Sequence, residues 1–443
     1  MRKSGPVEEQ AGIRLSPYRG LAAAAVALSF DYETSAAYGD LANLKSKLRG
    51  AFFRNVGKIW RSRKDLSFCY GLGYGMRHGA ENALAVLGRL GVRATWFASG
   101  HALLAGNRDR KAFRINQTLP YATEEAGFTD IVNWRRDKPT FSFEPFSDHT
   151  KHPYWYFGDQ SARIAAAGHD IQCHTVSHPY VALELPENVT LDLEDWQAIA
   201  VANGFRPATV FAFPFCGDAY RLYDRLQLRT QIGKVVEGEP YRIFVCPDET
   251  IRLLRANGIH LLTRCGSRIG ARPGPFSTYY DAPIHCMSDI LAVPLMQHPG
   301  LLGATMRDVV DAGAAVDLWL HPLSVFSVEE CAQFEAMVGS LVDFSKRGTI
   351  WLAPISEIWE HSRGVAACTV TVEAIAGNEL RMAAHNAGEA TVSELGLEVS
   401  GRPALVNADA NVRAHERGLV IAQLGAGSTY SFRLRLESSP WTP

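Results

Sequence analysis

Between residues 21 and 363, short apolar runs alternate with stretches of helical period, the mark of repeated β-α units. The pattern predicts strands at Ala24–Phe30, Arg93–Ala98, Asp170–Cys173, Thr209–Phe213, Ile259–Thr263, Val316–Leu320 and Thr349–Leu352. It predicts helices at Gly79–Leu90, Gln160–Ala167, Thr250–Asn257, Met306–Ala312 and Val328–Phe344. Three of these helices run into glycine just before a strand, at Leu90-Gly91, Ala167-Gly168 and Asn257-Gly258. That is the left-handed C-cap and short αβ loop of an α/β fold. Thr34–Gly75 and His101–Pro153 exceed ordinary loop length and are expected to be insertions that shape a surface. The second ends in FSFEPFSDHTKHPYWYFGD, a string that suits a carbohydrate-facing rim and equally a packed loop anchor.

From Gly364 the period becomes two. Thr369–Glu373 and Ser431–Leu436 alternate apolar and polar residues, with Gly, Asn and Pro between the runs. The expected organisation is an N-terminal extension at 1–20, an α/β domain at 21–363 with insertions at 34–75 and 101–153, and a small β-sandwich at 364–443. The sandwich is expected to pack against the main domain or to join copies as a homo-oligomer, an accessory binding module being the alternative.

Composition narrows the function. Lys+Arg 45 against Asp+Glu 46 leaves a formal charge of −1, so there is no cationic excess for nucleic acid, and none of the short nucleic-acid-binding motifs occurs. No apolar run approaches the roughly 18 residues that cross a bilayer. The longest, Leu21–Phe30, has the look of a signal-peptide core, but Glu8 and Glu9 in its leader and Asp31 at its end favour a buried strand. The eight cysteines are scattered without any CxxC pair, which points away from a disulfide framework or a cysteine zinc site and toward a reducing, cytoplasmic setting.

Four strings carry chemistry. His174-Thr-Val-Ser-His178 directly follows a predicted strand; histidines four apart would share one face of a helical turn and reach one metal ion. Alone HxxxH is a weak signal, but strand C-terminal ends are where β/α folds build sites. Ser29-Phe-Asp31-Tyr-Glu33 closes the first apolar strand, and carboxylates there must face a polar mouth because burying them unpaired is costly. One can complete a two-His, one-carboxylate site while the other acts as general base. Phe211-Ala-Phe-Pro-Phe-Cys-Gly217 ends a strand in a turn whose N–H groups suit an oxyanion. Alternation along Asp317-Leu-Trp-Leu-His321 puts Asp317, Trp319 and His321 on one face. Gly71-x-Gly-x-Gly75 follows no strand, and His149/His152 lie in the long insertion; neither is read as a site.

In this order, and with Ala94-Thr-Trp-Phe-Ala-Ser-Gly100 between the first two, the strings resemble the motifs of the polysaccharide deacetylase family (NodB homology, carbohydrate esterase family 4). The resemblance spans roughly residues 24–362. It implies a distorted (β/α) barrel and metal-dependent removal of acetyl groups from a sugar or glycoconjugate. By motif, His174 and His178 would bind a divalent metal, usually zinc, with Glu33 as third ligand and Asp31 as the base, an exchange between the two acids being open. His321 would protonate the leaving group and the Phe215 N–H would hold the oxyanion. Three departures stand out. Where the common first motif has adjacent aspartates, Tyr32 follows Asp31 and the next acid is Glu33, a D-x-[DE] variant. Ala212 occupies the place of the arginine that orients the catalytic aspartate in many members, so another residue must do this or the base is less tightly held. The intervening Asp/Trp motif has no clear match, with Arg264 and Asp281 as nearby candidates. Rival expectations are hydrolysis of a non-sugar amide such as a cyclic ureide, and an inactive barrel that serves as a scaffold.

Overall fold

A computed structural model describes residues 12–34, 68–111, 145–179, 181, 186–221, 243–245, 248–265, 274–279, 284–376, 379–400, 403–406 and 410–436. Its helices are α1 (Phe68–Leu90), α2 (Gly100–Leu103), α3 (Gly158–Ala166), α4 (Pro186–Ala202), α5 (Asp248–Ala256), α6 (Val293–Gln297), α7 (Pro299–Asp311), α8 (Val328–Lys346) and α9 (Ile355–Ala366).

After a short N-terminal strand, β1 (Ile13–Leu15), the chain enters β2 (Ala24–Tyr32), the centre of a ten-stranded sheet. Every residue of β2 is buried, so Leu21–Phe30 ends as core strand and not as a leader segment. The sheet continues through β3 (Thr95–Ala98), β4 (Asp170–Cys173) and β5 (Val210–Ala212). A ribbon of β6 (Ala219–Arg221) and β7 (Ile243–Val245) intervenes before β8 (Leu261–Thr263), β9 (Ser277–Thr278), β10 (His285–Cys286), β11 (Ser288–Leu291), β12 (Ala315–Leu320) and β13 (Ile350–Leu352). Neighbours pair in the order β11-β12-β2-β3-β4-β5-β8-β10-β9, with β13 beside the start of β2. All these pairs are parallel except β9 with β10. Met287 alone separates β10 from β11, so one continuous stretch pairs β8 on one side and β12 on the other.

All seven expected strands are present, and Gly91, Gly168 and Gly258 take positive φ at the helix ends as expected. Helix α8 starts at Ser327, whose Oγ accepts from the Glu330 N–H while Glu330 Oε2 accepts from the Ser327 N–H, a capping box. Two expectations change. Helix α1 begins at Phe68 and not Gly79, so Gly71–Gly75 is helical and part of the 34–75 stretch is regular structure. The pattern also passed over α4, whose buried face of Val189, Asp192, Leu193, Trp196 and Ile199 is interrupted by a carboxylate that breaks the apolar stripe.

Beyond α9 the chain is all β: β14 (Cys368–Ala376), β15 (Glu379–Asn386), β16 (Val392–Val399), β17 (Pro403–Leu405), β18 (Val412–His415), β19 (Gly418–Leu424) and β20 (Thr429–Leu436). They form two antiparallel sheets, β14-β15-β20-β17 and β1-β16-β19-β18, around a shared core. Ile13 of the N-terminal stretch belongs to that core, through pairing with Val399. Helix α9 ties the two parts together: Ile355, Ile358 and Trp359 pack under the large sheet, and Val365 enters the sandwich core. Among the described residues no helix is long and apolar enough to cross a membrane.

Candidate metal centre and active site

Alternation along β2 separates two environments. Val26, Leu28, Phe30 and Tyr32 belong to the core shared with the helices, and Phe30 stacks on Trp96 with ring centroids 4.3 Å apart. Ala25 and Ala27 face the other way, against Phe97, Val210 and Leu261. Ser29 and Asp31 continue that second face toward the strand's C-terminal end. The small alanines leave room for inward-pointing side chains from the facing strands, and above them the lining turns polar.

At that end Glu33 meets both histidines. Its Oε1 lies 2.7 Å from His178 Nε2, 3.2 Å from His174 Nε2 and 3.9 Å from His321 Nε2. The ligand atoms of Glu33, His174 and His178 all lie within 4.8 Å of one another, and all three residues are buried. The His174 Nδ1–H donates to the Ala212 carbonyl at 3.0 Å, which leaves Nε2 with its lone pair toward Glu33. A carboxylate oxygen and an imidazole lone pair facing each other require a proton or a cation between them. The electrostatics agree. Burial pushes the His174 imidazole down, but Asp31 and Glu33 outweigh it and raise its pKa. Burial pushes the Glu33 carboxyl up, yet His178 and His174 hold it well below the ordinary carboxylate range. This donor set, two imidazole nitrogens and one carboxylate, fits a divalent cation such as zinc.

The segment that carries the histidines is not a helical turn, contrary to the sequence expectation. Thr175 and His178 have φ of 63° and 56°, and the chain bends between them. The Thr175 Oγ accepts from the His178 N–H at 2.9 Å, and Asp192 of α4 holds the middle of the bend. Convergence of the two rings therefore comes from a strained loop and not from helical spacing. Gly100 approaches this loop so closely that a Cβ there would lie 2.8 Å from the Val176 side chain, which accounts for the glycine ending the Ala94–Gly100 string.

Asp31 pairs with Arg264 at the end of β8. The guanidinium approaches Asp31 Oδ1 from Nη2 at 3.0 Å and from Nε at 3.2 Å; it also donates to Asp317 Oδ2 at 2.5 Å and to the Ser29 Oγ at 2.7 Å. It lies over the Trp319 ring at 4.6 Å and the Phe97 ring at 5.3 Å, and it is completely buried. Burial pushes the Asp31 carboxyl up, but Arg264, then His174 and His321, bring it below its usual value. From sequence, Arg264 is one of two candidates for the unplaced Asp/Trp motif; in the fold it pairs with Asp31, the role left open by Ala212. Asp281, the other candidate, lies outside the described residues. Asp289 accepts from the Arg264 N–H at 2.9 Å, and burial pushes its carboxyl up to about 6. Nothing in the strand pattern pointed to it.

His321 follows β12, with Trp319 5.8 Å away ring to ring. Phe215 sits in a tight turn at φ 58°, and its ring packs edge-on against His178 at 4.4 Å. The six residues expected from sequence thus all border one cluster, on the ends of four strands. Among the described residues, His149 and His152 join no group of metal-ligating side chains. Helix α1 supports the His321 turn at very short range: a Cβ on Gly79 would lie 1.9 Å from the Pro322 carbonyl oxygen, and the Asn82 Nδ2 donates to the Val325 carbonyl at 2.8 Å. The Gly79→Ala variant should therefore lose about 1–3 kcal/mol through overpacking against backbone, read from its denaturant midpoint. A midpoint equal to that of the unaltered protein would mean the helix shifts freely.

Residues 59–228 match the polysaccharide deacetylase family. The chain resembles the polysaccharide deacetylases, as its motifs predict. The matched stretch contains His174, His178 and Phe215, while Asp31, Glu33, Arg264 and His321 come from strands outside it. No match was found among curated proteins. A carbohydrate deacetylase described as novel aligns at 12% identity over 82% of this chain and 61% of its own, with a TM-score of 0.48. A protein from Mycobacterium smegmatis assigned as a polysaccharide deacetylase aligns at 13% identity over 79% of this chain and 95% of its own, TM-score 0.45. A carbohydrate esterase family 4 pseudoenzyme from Bacillus anthracis aligns at 11% identity over 77% and 67%, TM-score 0.33.

Proposed function

We propose that this protein is a metal-dependent hydrolase that removes an acetyl group from the nitrogen of a sugar or glycoconjugate, on a sheet closed as a distorted (β/α) barrel. The observation that carries the proposal is the meeting of Glu33 with His174 and His178 beside a carboxylate, Asp31, that is held by an arginine and not by the histidines. The barrel finds its support in the single residue, Met287, that separates β10, paired with β8, from β11, paired with β12. Glu33, His174 and His178 would hold the ion. When bound, a divalent cation supplies Lewis acidity that polarises an acyl carbonyl and lowers the pKa of water toward about 7.

Asp31 is the general base: Arg264 fixes its carboxylate plane and favours its charged form, so it stands ready to accept the proton of the attacking water. His321, on the far side of Glu33 and partly exposed, delivers a proton to the leaving amine. The Phe215 N–H, in the turn after Pro214, is the oxyanion donor, and the Phe215 ring packs over His178. The ground for an inactive scaffold was Ala212; the pairing of Arg264 with Asp31 supports the active reading over it. The substrate is read as a small or lipid-linked sugar in a reducing, cytoplasmic setting.

The test is acetate release from a panel of N-acetylated sugars and nucleotide sugars. Asp31→Asn should fold normally, bind metal and release acetate at least about a hundredfold more slowly, the usual worth of a positioned base. Equal turnover by Asp31→Asn would assign the base elsewhere.

A further inference from the structure

Asp192 belongs to none of the strings that mark the site, yet it reaches the loop between its two histidines. It lies on the buried face of α4, 2% exposed, and accepts three hydrogen bonds from that loop: from the Val176 N–H, from the Ser177 N–H at 3.0 Å, and from the Ser177 hydroxyl at 2.5 Å. We propose that Asp192 is a positioning residue for the metal centre, holding residues 175–178 in the one conformation that turns His174 and His178 onto the same point. This rests on the metal-centre reading above.

The loop needs such a holder. Thr175 and His178 both occupy the left-handed region, which costs non-glycine residues of order 1–3 kcal/mol each and persists only where the surroundings over-determine it. Asp192 caps two successive amides of that strained bend. The helix that carries it is itself fixed to the sheet: the Trp196 indole N–H donates to the Ala98 carbonyl at 2.7 Å, and the same carbonyl accepts from the His174 N–H at 3.2 Å. Ala98 thus couples the helix to the first histidine, and Asp192 couples it to the residues leading to the second. A buried carboxylate is expensive to keep unless its hydrogen bonds are complete, so its presence on an otherwise apolar face calls for a reason. No ligand atom of the centre is its partner in these bonds; its effect is on where the rings point.

The experiment uses the full chain, stripped with chelator and titrated with Zn2+ in competition with a chromophoric chelator. The unaltered protein should take up one equivalent. Asp192→Ala should bind Zn2+ about 10- to 100-fold more weakly, the usual effect of losing a group that orients metal ligands. Asp192→Asn, which keeps one acceptor oxygen, should lose about tenfold on the same basis. Thermal unfolding of the stripped proteins separates roles: a residue important only for stability lowers the midpoint and leaves the Zn2+ affinity unchanged, which overturns the proposal. If Asp192→Ala does not fold, Asp192→Asn decides, and unchanged affinity in that variant overturns it equally. Absence of Zn2+ uptake by the unaltered protein would instead sink the metal-centre reading, and this proposal with it.

Discussion

His174→Ala is expected to abolish stoichiometric metal uptake and to lower acetate release by at least about a thousandfold, since even one electrostatic donor to the oxyanion is worth about 10²–10³. The substitution removes one of the three ligand atoms and also the bond from Nδ1 to the Ala212 carbonyl, leaving Glu33 with His178. Losing one buried polar side chain at a loop is expected to cost about 1–3 kcal/mol, so the fold should survive. Metal content of the purified variant and acetate release are the two measurements. Treatment of the unaltered protein with chelator should reproduce the loss, and added divalent cation should restore it, which a folding defect would not allow. Full activity in His174→Ala, or in chelated protein, would remove the metal from the mechanism.

The second large effect is expected at Arg264. Arg264→Met leaves Asp31 and Asp317 buried without their shared cation, and breaking a buried ion pair on one side costs about 3–5 kcal/mol. The remaining donors to Asp317 Oδ2, from the Ser29 and Thr263 hydroxyls at 2.9 and 3.4 Å, do not replace a charge. Arg264→Lys separates stability from function. It keeps a positive charge between the two carboxylates, so most of the stability should remain, but an ammonium cannot reproduce the planar fork that reaches Asp31, Asp317 and Ser29 together. Acetate release by the lysine variant should fall about tenfold or more while Zn2+ affinity stays unchanged, because the ligands are untouched. The comparison is made by denaturant midpoint, Zn2+ titration and turnover. An Arg264→Lys variant with unaltered turnover would show that Asp31 needs no planar partner.

Much of this molecule was legible along the chain, because its signals are local. Apolar runs bounded by turn residues marked all seven expected strands, and the change from helical to two-residue period at Gly364 marked the all-β part. Asp31, Glu33, His174, His178 and His321 were recognisable as candidates because strand ends collect polar residues that the core cannot hold, and Phe215 because it lies in a Pro/Gly turn. What failed to show was whatever depends on partners distant in sequence. Strands β10 and β11 are too short and too polar to stand out, yet they pair with β8 and β12. Ile13 looks like part of an extension until it pairs with Val399. A helical turn was expected where a bend exists, because spacing of four says nothing about backbone held at positive φ.

By itself the sequence determined the order of α/β units and the strand ends that carry the candidate site residues, since period and residue type act over a few neighbouring positions. Only the tertiary structure decided which acid meets the histidines, which arginine holds the other acid and which carboxylate braces the loop. Those choices depend on the registers of β2, β8 and β12 and on the packing of α4, and residues up to 288 positions apart meet there because parallel strands align their ends, not their sequences.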